Sequence, residues 1–317
     1  MADLLQYRLP GKEIQFKKGI FYPCALEDIN SGFVVADFQG KQWFAFEEKS
    51  FDHFLFHEGN FDVPIVTGKD EYFSKCKKVI DYLNDSDLEK LVLSRVKKVN
   101  VEKLDLNNYF IRLCQNYPNA FVYLISSFEF GTWIGATPEI LIDVDNGLAS
   151  SMSLAGTKKN NDHSNWTKKE KEEQGLVTDY LAEIISYYDK NFTFEGPNEK
   201  NAGPVKHLVT HFSFYLGFDQ LKAFVKQVHP TPAVCGLPKT KAFNLMTDIE
   251  NHKRDLYSGI IGFIGEQASH LYVNLRCSRL IKNDMYIYVG GGITSDSVIE
   301  DEWHETENKS QTLIKHL

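Results

Sequence analysis

Short apolar runs separated by Gly, Asn and Asp dominate the first 65 residues. Residues 20–22, 33–35 and 43–46 are three such runs, rich in aromatic and β-branched side chains. Runs of this length and composition are typical of strands. We therefore expect the chain to begin with strands of an antiparallel sheet.

Beyond residue 65, helical and strand patterns are mixed. Apolar side chains recur at spacings of three and four along residues 70–88 and 167–190, which predicts helices there. We also expect helices at 219–228, 240–251 and about 300–315. Apolar runs too short for helices predict strands at 90–99, 121–126, 132–135, 140–144, 206–215, 259–265, 271–280 and 285–289. Long strands and few helices predict an α+β protein, with large sheets and helices packed outside them.

Composition narrows the class of protein. The chain has 317 residues, 43% of them hydrophobic, enough for a sizeable core, and no repeat or linker, so we expect one domain over residues 1–317. Its net charge of -8 argues against nucleic acid as a partner. No stretch approaches the ~20 apolar residues of a membrane span. Five scattered cysteines and a charged, proline-containing N-terminus favour a cytoplasmic protein with reduced thiols.

Three pairs of adjacent lysines, 97–98, 158–159 and 168–169, are interleaved with acids. Short basic clusters of this kind usually lie on solvated faces. We therefore expect all three pairs to be in water.

Lys90 begins the stretch EKLVLSR, whose next three residues resemble a buried strand. A lysine in this place usually extends its ammonium group into water. A lysine held in a dry pocket instead gives up its proton more readily and can act as a base. The residues leave both interpretations open.

Glu139 follows a proline in GATPEIL and begins an apolar run. We expect it near a turn at the edge of a sheet. A carboxyl group partly removed from water there can stay protonated and act as an acid. An ordinary edge glutamate is the alternative.

Glu173 lies three, four and seven residues before Leu176, Val177 and Tyr180, so it shares the apolar face of the 167–190 helix. A carboxylate on such a face needs a partner, and a metal cation is one candidate. Glu170 lies one turn earlier. The alternative is a glutamate favoured near the helix start by the helix dipole.

Near the C-terminus, Glu302, Glu305 and Lys309 stack along one side of a helix at positions i, i+3 and i+7. A salt-bridged surface would show the same pattern. If Glu305 and Glu173 instead converge, they offer oxygen ligands suited to Mg²⁺, which takes only one or two protein carboxylates.

The same C-terminal region indicates which kind of anion the site binds. Three glycines, 290–292, resemble a phosphate-binding loop, but the acids clustered over residues 300–307 would repel a phosphate. Arg276, inside the predicted strand 271–280, suits bidentate binding of an anion. Together with Lys90 and Glu139, these features predict a site for a small anion that carries carboxylates rather than phosphates.

Eight motifs in this order resemble the chorismate-binding enzymes from about residue 65 to the C-terminus, while residues 1–65 match loosely and look shortened. The motifs are EKLVLSR, GATPEIL, SLAGT (153–157), EExxLV (172–177), HPTPAVCGLP (229–238), YSGIIGFIG (257–265), NLRCSRL and GGGI…EDEWHETENK. The resemblance implies two large packed β-sheets with helices outside, a catalytic core over residues 66–317, the small-molecule substrate chorismate, Mg²⁺ as cofactor and, since the family is often monomeric, a monomer.

By resemblance, Lys90 marks members that use water as nucleophile, where members that use ammonia have glutamine. Ala155 stands where aminodeoxychorismate synthases have a lysine nucleophile. These positions and HPTPAVCG imply an isochorismate synthase, with salicylate synthase as the alternative; they do not separate menaquinone from siderophore synthesis.

The resemblance also implies residue roles. Lys90 is the base, Glu139 the acid, and Glu173 and Glu305 hold Mg²⁺. The implied substrate contacts are Gly156, Thr157, Ala233, Arg276, Gly290 and Lys309, with His207, Tyr257 and Glu302 as further candidates.

The sequence departs from the family pattern in two places. Gln174 and Gly175 follow Glu173 where a histidine is usual, and Gly175 weakens a helix by ~1 kcal/mol relative to alanine. Glu307 and Asn308 replace a small apolar pair before Lys309.

Overall fold

The computed structural model describes residues 2–54, 56–57 and 61–317, and these form sixteen strands and six α-helices. The strands, β1 to β16, span Asp3–Arg8, Gln15–Cys24, Gly32–Ala36, Trp43–Glu48, Lys90–Asn100, Phe121–Ser127, Gly131–Thr137, Ile140–Asp145, Leu148–Lys159, Thr193–Ala202, Val205–Tyr215, Gly236–Leu237, Ile260–Ile264, Ala268–Val273, Cys277–Ile281 and Asp284–Ile293. The helices, α1 to α6, span Lys69–Asp85, Leu106–Asn116, Lys168–Tyr188, Phe218–Val228, Lys239–Ile249 and Ile299–Ile314.

The sixteen strands are hydrogen-bonded into one antiparallel sheet. Their order is β10-β11-β9-β8-β14-β13-β3-β4-β2-β1-β6-β7-β15-β16-β5-β12. The α+β class is therefore confirmed, while the two sheets expected from the resemblance are two halves of a single continuous sheet. The N-terminal strands β1 to β4 lie in the middle of this order and connect the halves.

The two halves pack face to face around an aromatic core. Phe121 of β6 stacks on Tyr272 of β14, with ring centroids 4.8 Å apart, although these strands are not neighbours in the sheet. Phe33, Phe263 and Tyr7 extend this cluster. Each aromatic pair contributes roughly 0.5–1.5 kcal/mol beyond the burial of its apolar area.

Two of the places where the chain passes from one half of the sheet to the other are adjacent. Between β7 and β8 it crosses at Pro138 and Glu139, and between β14 and β15 at residues 274–276. The crossings are hydrogen-bonded to each other: the Val273 amide donates to the Glu139 carbonyl at 3.0 Å, and the Ala136 amide to the Arg276 carbonyl at 3.1 Å. Backbone geometry alone therefore brings Glu139 and Arg276 together.

Two predictions for these residues were wrong. Arg276 does not lie inside one strand over 271–280, because the chain breaks into β14 and β15 and Arg276 adopts a left-handed φ of 49° between them. Glu139 does not lie at a sheet edge, because β8 pairs with both β9 and β14. A crossover between sheet halves has the same local sequence signature as an edge turn.

The helices cover the outer faces. The predicted helices 167–190 and 300–315 correspond to α3 and α6 within two residues at each end, whereas α2 was missed. Within the described residues, no helix combines the length and apolar character needed to cross a membrane.

Gly175, in the second turn of α3, gives a test of helix stability. A Cβ added there would meet no atom within 4 Å, so the glycine is not required by packing in the described structure. We expect Gly175→Ala to raise the free energy of unfolding by about 1 kcal/mol, because alanine loses less backbone entropy in a helix. Urea denaturation measures this change, and a less stable variant would show that Gly175 has a role that its surroundings do not reveal.

Candidate active site

Most of the predicted site residues line one small cavity at the crossing between the sheet halves. The cavity has a volume of about 50 Å³. Ten of the thirteen predicted residues line it, namely Glu139, Gly156, Thr157, Glu173, His207, Ala233, Tyr257, Arg276, Gly290 and Lys309. The other three predicted residues lie next to this cavity. Lys90 bonds to Glu173 and Glu305 bonds to Lys309, both of which line it. Glu302 lines an adjoining cavity of about 710 Å³ together with Glu173 and Glu305.

Lys90 is the first residue of β5 and is only 1% exposed. Its Nζ lies 3.0 Å from Glu173 Oε1 on α3. A Cβ at Gly292 of β16 would stand 2.3 Å from that same oxygen and 2.8 Å from Lys90 Cε. Only glycine at position 292 therefore lets strand, helix and ion pair approach so closely. The ammonium group is buried, which answers the question that the sequence left open.

Glu139 is 3% exposed at the first crossing. Burial raises the pKa of its carboxyl group to about 7, although Lys90 and Arg276 oppose the shift. A carboxyl group with this pKa is partly protonated at neutral pH and can donate a proton.

Arg276 and His207 form a pair whose protonation follows from its hydrogen bonds. His207 Nδ1 lies 2.9 Å from the Gly156 carbonyl, which can only accept, so Nδ1 donates. Nε2 then accepts from Arg276 Nη2 at 3.0 Å. Burial, aided by the charges of Arg276 and Lys309, lowers the pKa of His207 to about 3, so the imidazole is neutral.

Arg276 lacks an anionic partner among the described residues. Its guanidinium group is buried, its Nε has no hydrogen-bond acceptor there, and its only side-chain partner is the neutral His207. A buried cation in this state is poorly compensated unless an anion binds to it. The geometry therefore suits the binding of an anion.

Glu305 and Lys309, one turn apart on α6, form an ion pair of 2.6 Å. Burial alone would raise the pKa of Glu305, but the ammonium groups of Lys309 and Lys169 lower it to about 2. Lys309 also donates to the Gly290 carbonyl at 2.9 Å, which ties α6 to β16. The salt bridge that the sequence suggested for an exposed face exists, but inside the site.

Glu302 is 1% exposed and carries an unsatisfied oxygen. Its Oε1 accepts from Lys169 of α3 and from Ser297 Oγ at 2.7 Å. Its Oε2 has no hydrogen-bond partner among the described residues and lies near Gly291, as does Glu305 Oε1. Burial raises the pKa of Glu302, Lys169 opposes this shift, and the charge of Glu305 adds to it.

The carboxylates fit a hard divalent cation. No three histidine, cysteine or acidic side chains of the described chain are grouped tightly enough to hold a metal ion by themselves. Mg²⁺ does not need three, because one or two carboxylates with water and substrate oxygens complete its shell. Glu173 and Glu305 with the unsatisfied Glu302 oxygen nearby supply that chemistry, so the donor set is compatible with Mg²⁺.

The expectation that all three lysine pairs lie in water was wrong. One member of each pair is held by other residues: Lys97 binds Glu307, Lys158 is buried against residues 164–165, and Lys169 binds Glu302. Glu307, one of the departures from the family pattern, turns towards β5 and bonds to Arg95 and Lys97.

Lys169 and Gly292 are the site residues that sequence reasoning missed. Lys169 precedes Glu173 by four residues, so the two share a helix face, and this spacing was the available signal. Gly292 offered no comparable signal, since its role depends on two partners distant in sequence.

Comparison with known proteins identifies the family of the chain. A family model described as chorismate binding enzyme matches residues 41–317, starting earlier than the motifs suggested. The chain is 28% identical over 265 residues to anthranilate synthase component 1 of Aquifex aeolicus, covering 78% of this chain and 53% of the relative. It is 25% identical over 260 residues to the vibriobactin-specific isochorismate synthase of Vibrio cholerae, covering 77% and 66%. It thus spans about half of the first relative and two thirds of the second.

Solved structures show the same fold. The menaquinone-specific isochorismate synthase from Escherichia coli superposes with a TM-score of 0.82 at 17% identity, over 99% of this chain and 88% of that one. With the family match extending over most of its length, the chain belongs to the chorismate-binding enzymes.

Proposed function

We propose that the chain is an isochorismate synthase, which converts chorismate to isochorismate with Mg²⁺. The observation that carries the proposal is that a carboxyl group of raised pKa, Glu139, lines the small cavity, while a buried lysine, Lys90, adjoins the cavity through Glu173. Such a pair suits an addition that needs a base for the nucleophile and an acid for the leaving group.

In this mechanism Lys90 takes a proton from water as the water oxygen attacks C2 of the ring. The ring double bonds shift, and the C4 hydroxyl leaves as water after taking a proton from Glu139. One water is consumed and one released, so chorismate and isochorismate are isomers. Lys90 must be neutral at the moment of attack, and Glu139 must be protonated.

In this proposal Arg276, which has no anionic hydrogen-bond partner among the described residues, binds the enolpyruvyl carboxylate of the substrate. Lys309, with backbone groups of Gly156, Thr157 and Gly290, lines the remainder of the pocket. Bound at Glu173 and Glu305, Mg²⁺ would neutralise the ring carboxylate and draw electron density away from C2.

The pH dependence of the reaction tests the role of Glu139. Because burial raises its pKa to about 7, the protonated acid is available below that pH and is lost above it. We expect kcat/KM, which reports groups of the free enzyme, to fall about tenfold per pH unit above pH ~7. Glu139→Gln should be slower and should lack this descending limb; a limb unchanged in the variant would assign it to another group.

Product analysis tests the proposed function itself. The protein is incubated with chorismate and Mg²⁺, with and without ammonium, and the products are separated by chromatography. Isochorismate without pyruvate supports the proposal. Salicylate with pyruvate would assign the protein to the salicylate synthases instead.

Anthranilate synthesis is the second candidate, because anthranilate synthase component 1 is among the relatives with 28% identity. It requires ammonia as the nucleophile. Anthranilate formed only when ammonium is present would therefore overturn water as the nucleophile.

A further inference from the structure

Three carboxylates of the site are already matched by lysines. In the described structure, Glu173 is paired with Lys90, Glu305 with Lys309, and Glu302 with Lys169. Two of these lysines have a place in the proposed mechanism, as base and as substrate contact. Lys169 has none, although it lies among the acids proposed to bind the metal ion.

Lys169 is placed to act on the metal site rather than on the substrate. It lines the larger cavity with Glu173, Glu302 and Glu305, and does not line the smaller cavity that contains Arg276 and Glu139. Its side chain is 23% exposed, whereas the Glu302 side chain is 1% exposed. The ammonium group therefore approaches the buried acids from the open side.

The ammonium group of Lys169 opposes the binding of a second cation among the same acids. Like charges a few ångströms apart repel strongly where water is partly excluded. The bond of Lys169 to Glu302 also uses carboxylate charge that would otherwise favour the metal ion.

We propose that Lys169 is the resident counter-ion of the carboxylate cluster and competes with the divalent cation for it. The inference rests on the proposed function, because it takes Glu173 and Glu305 as metal ligands. In this role Lys169 keeps the acids compensated when no metal is bound and weakens metal affinity. It is a positioning residue, since it touches neither substrate nor reacting atoms.

A purely structural role for Lys169 predicts the opposite sign. If Lys169 only held Glu302 in place for the metal, its removal would weaken metal binding. If it competes with the metal, its removal strengthens binding. The direction of the change therefore decides between the two roles.

Mn²⁺ binding measured by electron paramagnetic resonance, without chorismate, provides the test. We expect Lys169→Met to bind Mn²⁺ about tenfold or more tightly than the unmodified protein. Lys168→Met is the matched control, because Lys168 is the preceding residue, is 84% exposed and, among the residues that the structure describes, forms an ion pair with the surface residue Glu172 alone. Its Mn²⁺ affinity should stay within about twofold of the unmodified protein.

A second measurement uses the unmodified protein and does not depend on the variant folding. Lysine acylation by an N-hydroxysuccinimide ester is followed by mass spectrometry with and without Mg²⁺. We expect Mg²⁺ to increase the acylation rate at Lys169, by freeing its amine from Glu302, and to leave Lys168 unchanged.

The outcomes separate this inference from the proposed function. Tighter Mn²⁺ binding in Lys169→Met and faster acylation at Lys169 support it. Equal or weaker binding in a folded Lys169→Met, or a rate at Lys169 unaffected by saturating Mg²⁺, overturns it while leaving the metal site intact. Absence of Mn²⁺ binding to the unmodified protein would overturn both the metal site and the competition.

Discussion

Replacing Lys90 by glutamine should lower kcat for isochorismate formation by about 10²–10⁴-fold, the usual contribution of a general base. Glutamine can still form a hydrogen bond to Glu173 but cannot accept a proton from water. Lys90 Nζ lies 3.0 Å from Glu173, and Lys90 is almost fully buried. A lysine from the protein surface therefore cannot take its place without moving strand β5. Stopped assays of isochorismate give the rate.

The control lies on the same strand. Lys98 is 47% exposed and pairs with Asp284 at the surface, so Lys98→Gln should leave kcat unchanged. Calorimetric titration of Lys90→Gln with chorismate and Mg²⁺ should still show binding, and thermal unfolding shows whether the loss of the cation beside Glu173 has destabilised the fold. Retained turnover in Lys90→Gln would remove this lysine from the mechanism.

The sequence was most informative where the signal is local. The apolar stripe of α3 predicted the boundaries of this helix within two residues, because a helix is specified by contacts three and four residues apart. Glu173 shares that stripe, so its orientation towards the core could be anticipated. Lys169 had the same local signal, at i−4 from Glu173. Its role was missed because it was grouped with Lys168 as one of the lysine pairs expected in water.

The signal was weakest where the site depends on pairing between distant strands. The pattern over residues 271–280 predicted one strand, yet the chain crosses between sheet halves at residues 274–276. The crossing is imposed by partners far away in sequence, such as Tyr123, which donates to the Asn274 side chain at 2.6 Å. No periodicity within residues 271–280 contains that information.

The charged residues show the same limit. Whether a lysine is solvated depends on what the fold places opposite it, so Lys158 and Lys159 have similar sequence contexts and opposite environments. The number of acids near the glycines was evident from the sequence. That Glu307 turns to Arg95 and Lys97 of β5, whereas Glu305 turns to the site, was not evident, because both lie on one helix and only β5 and β16 distinguish its faces.

Replacing Glu305 by glutamine should raise the Mg²⁺ concentration needed for half-maximal activity by about 100-fold, equivalent to about 2.7 kcal/mol of binding free energy. The lowered pKa of Glu305 means that it is fully ionised at neutral pH, so the substitution removes a whole negative charge from the metal site. Glutamine keeps the shape and an oxygen that can accept from Lys309. The effect is therefore expected in metal binding before it appears in folding.

The decisive comparison is with another acid of the same helix. Glu300 is exposed in the first turn of α6, so Glu300→Gln changes the net charge equally but not the charge at the site. Its Mg²⁺ titration should match that of the unmodified protein. Mn²⁺ binding without substrate should weaken in Glu305→Gln alone, because the lost ligand acts on the metal and not on the chemical step. A titration of folded Glu305→Gln that coincides with the Glu300→Gln control would exclude Glu305 as a ligand, and Glu173 with Glu302 would then be the remaining pair of carboxylates near Lys169.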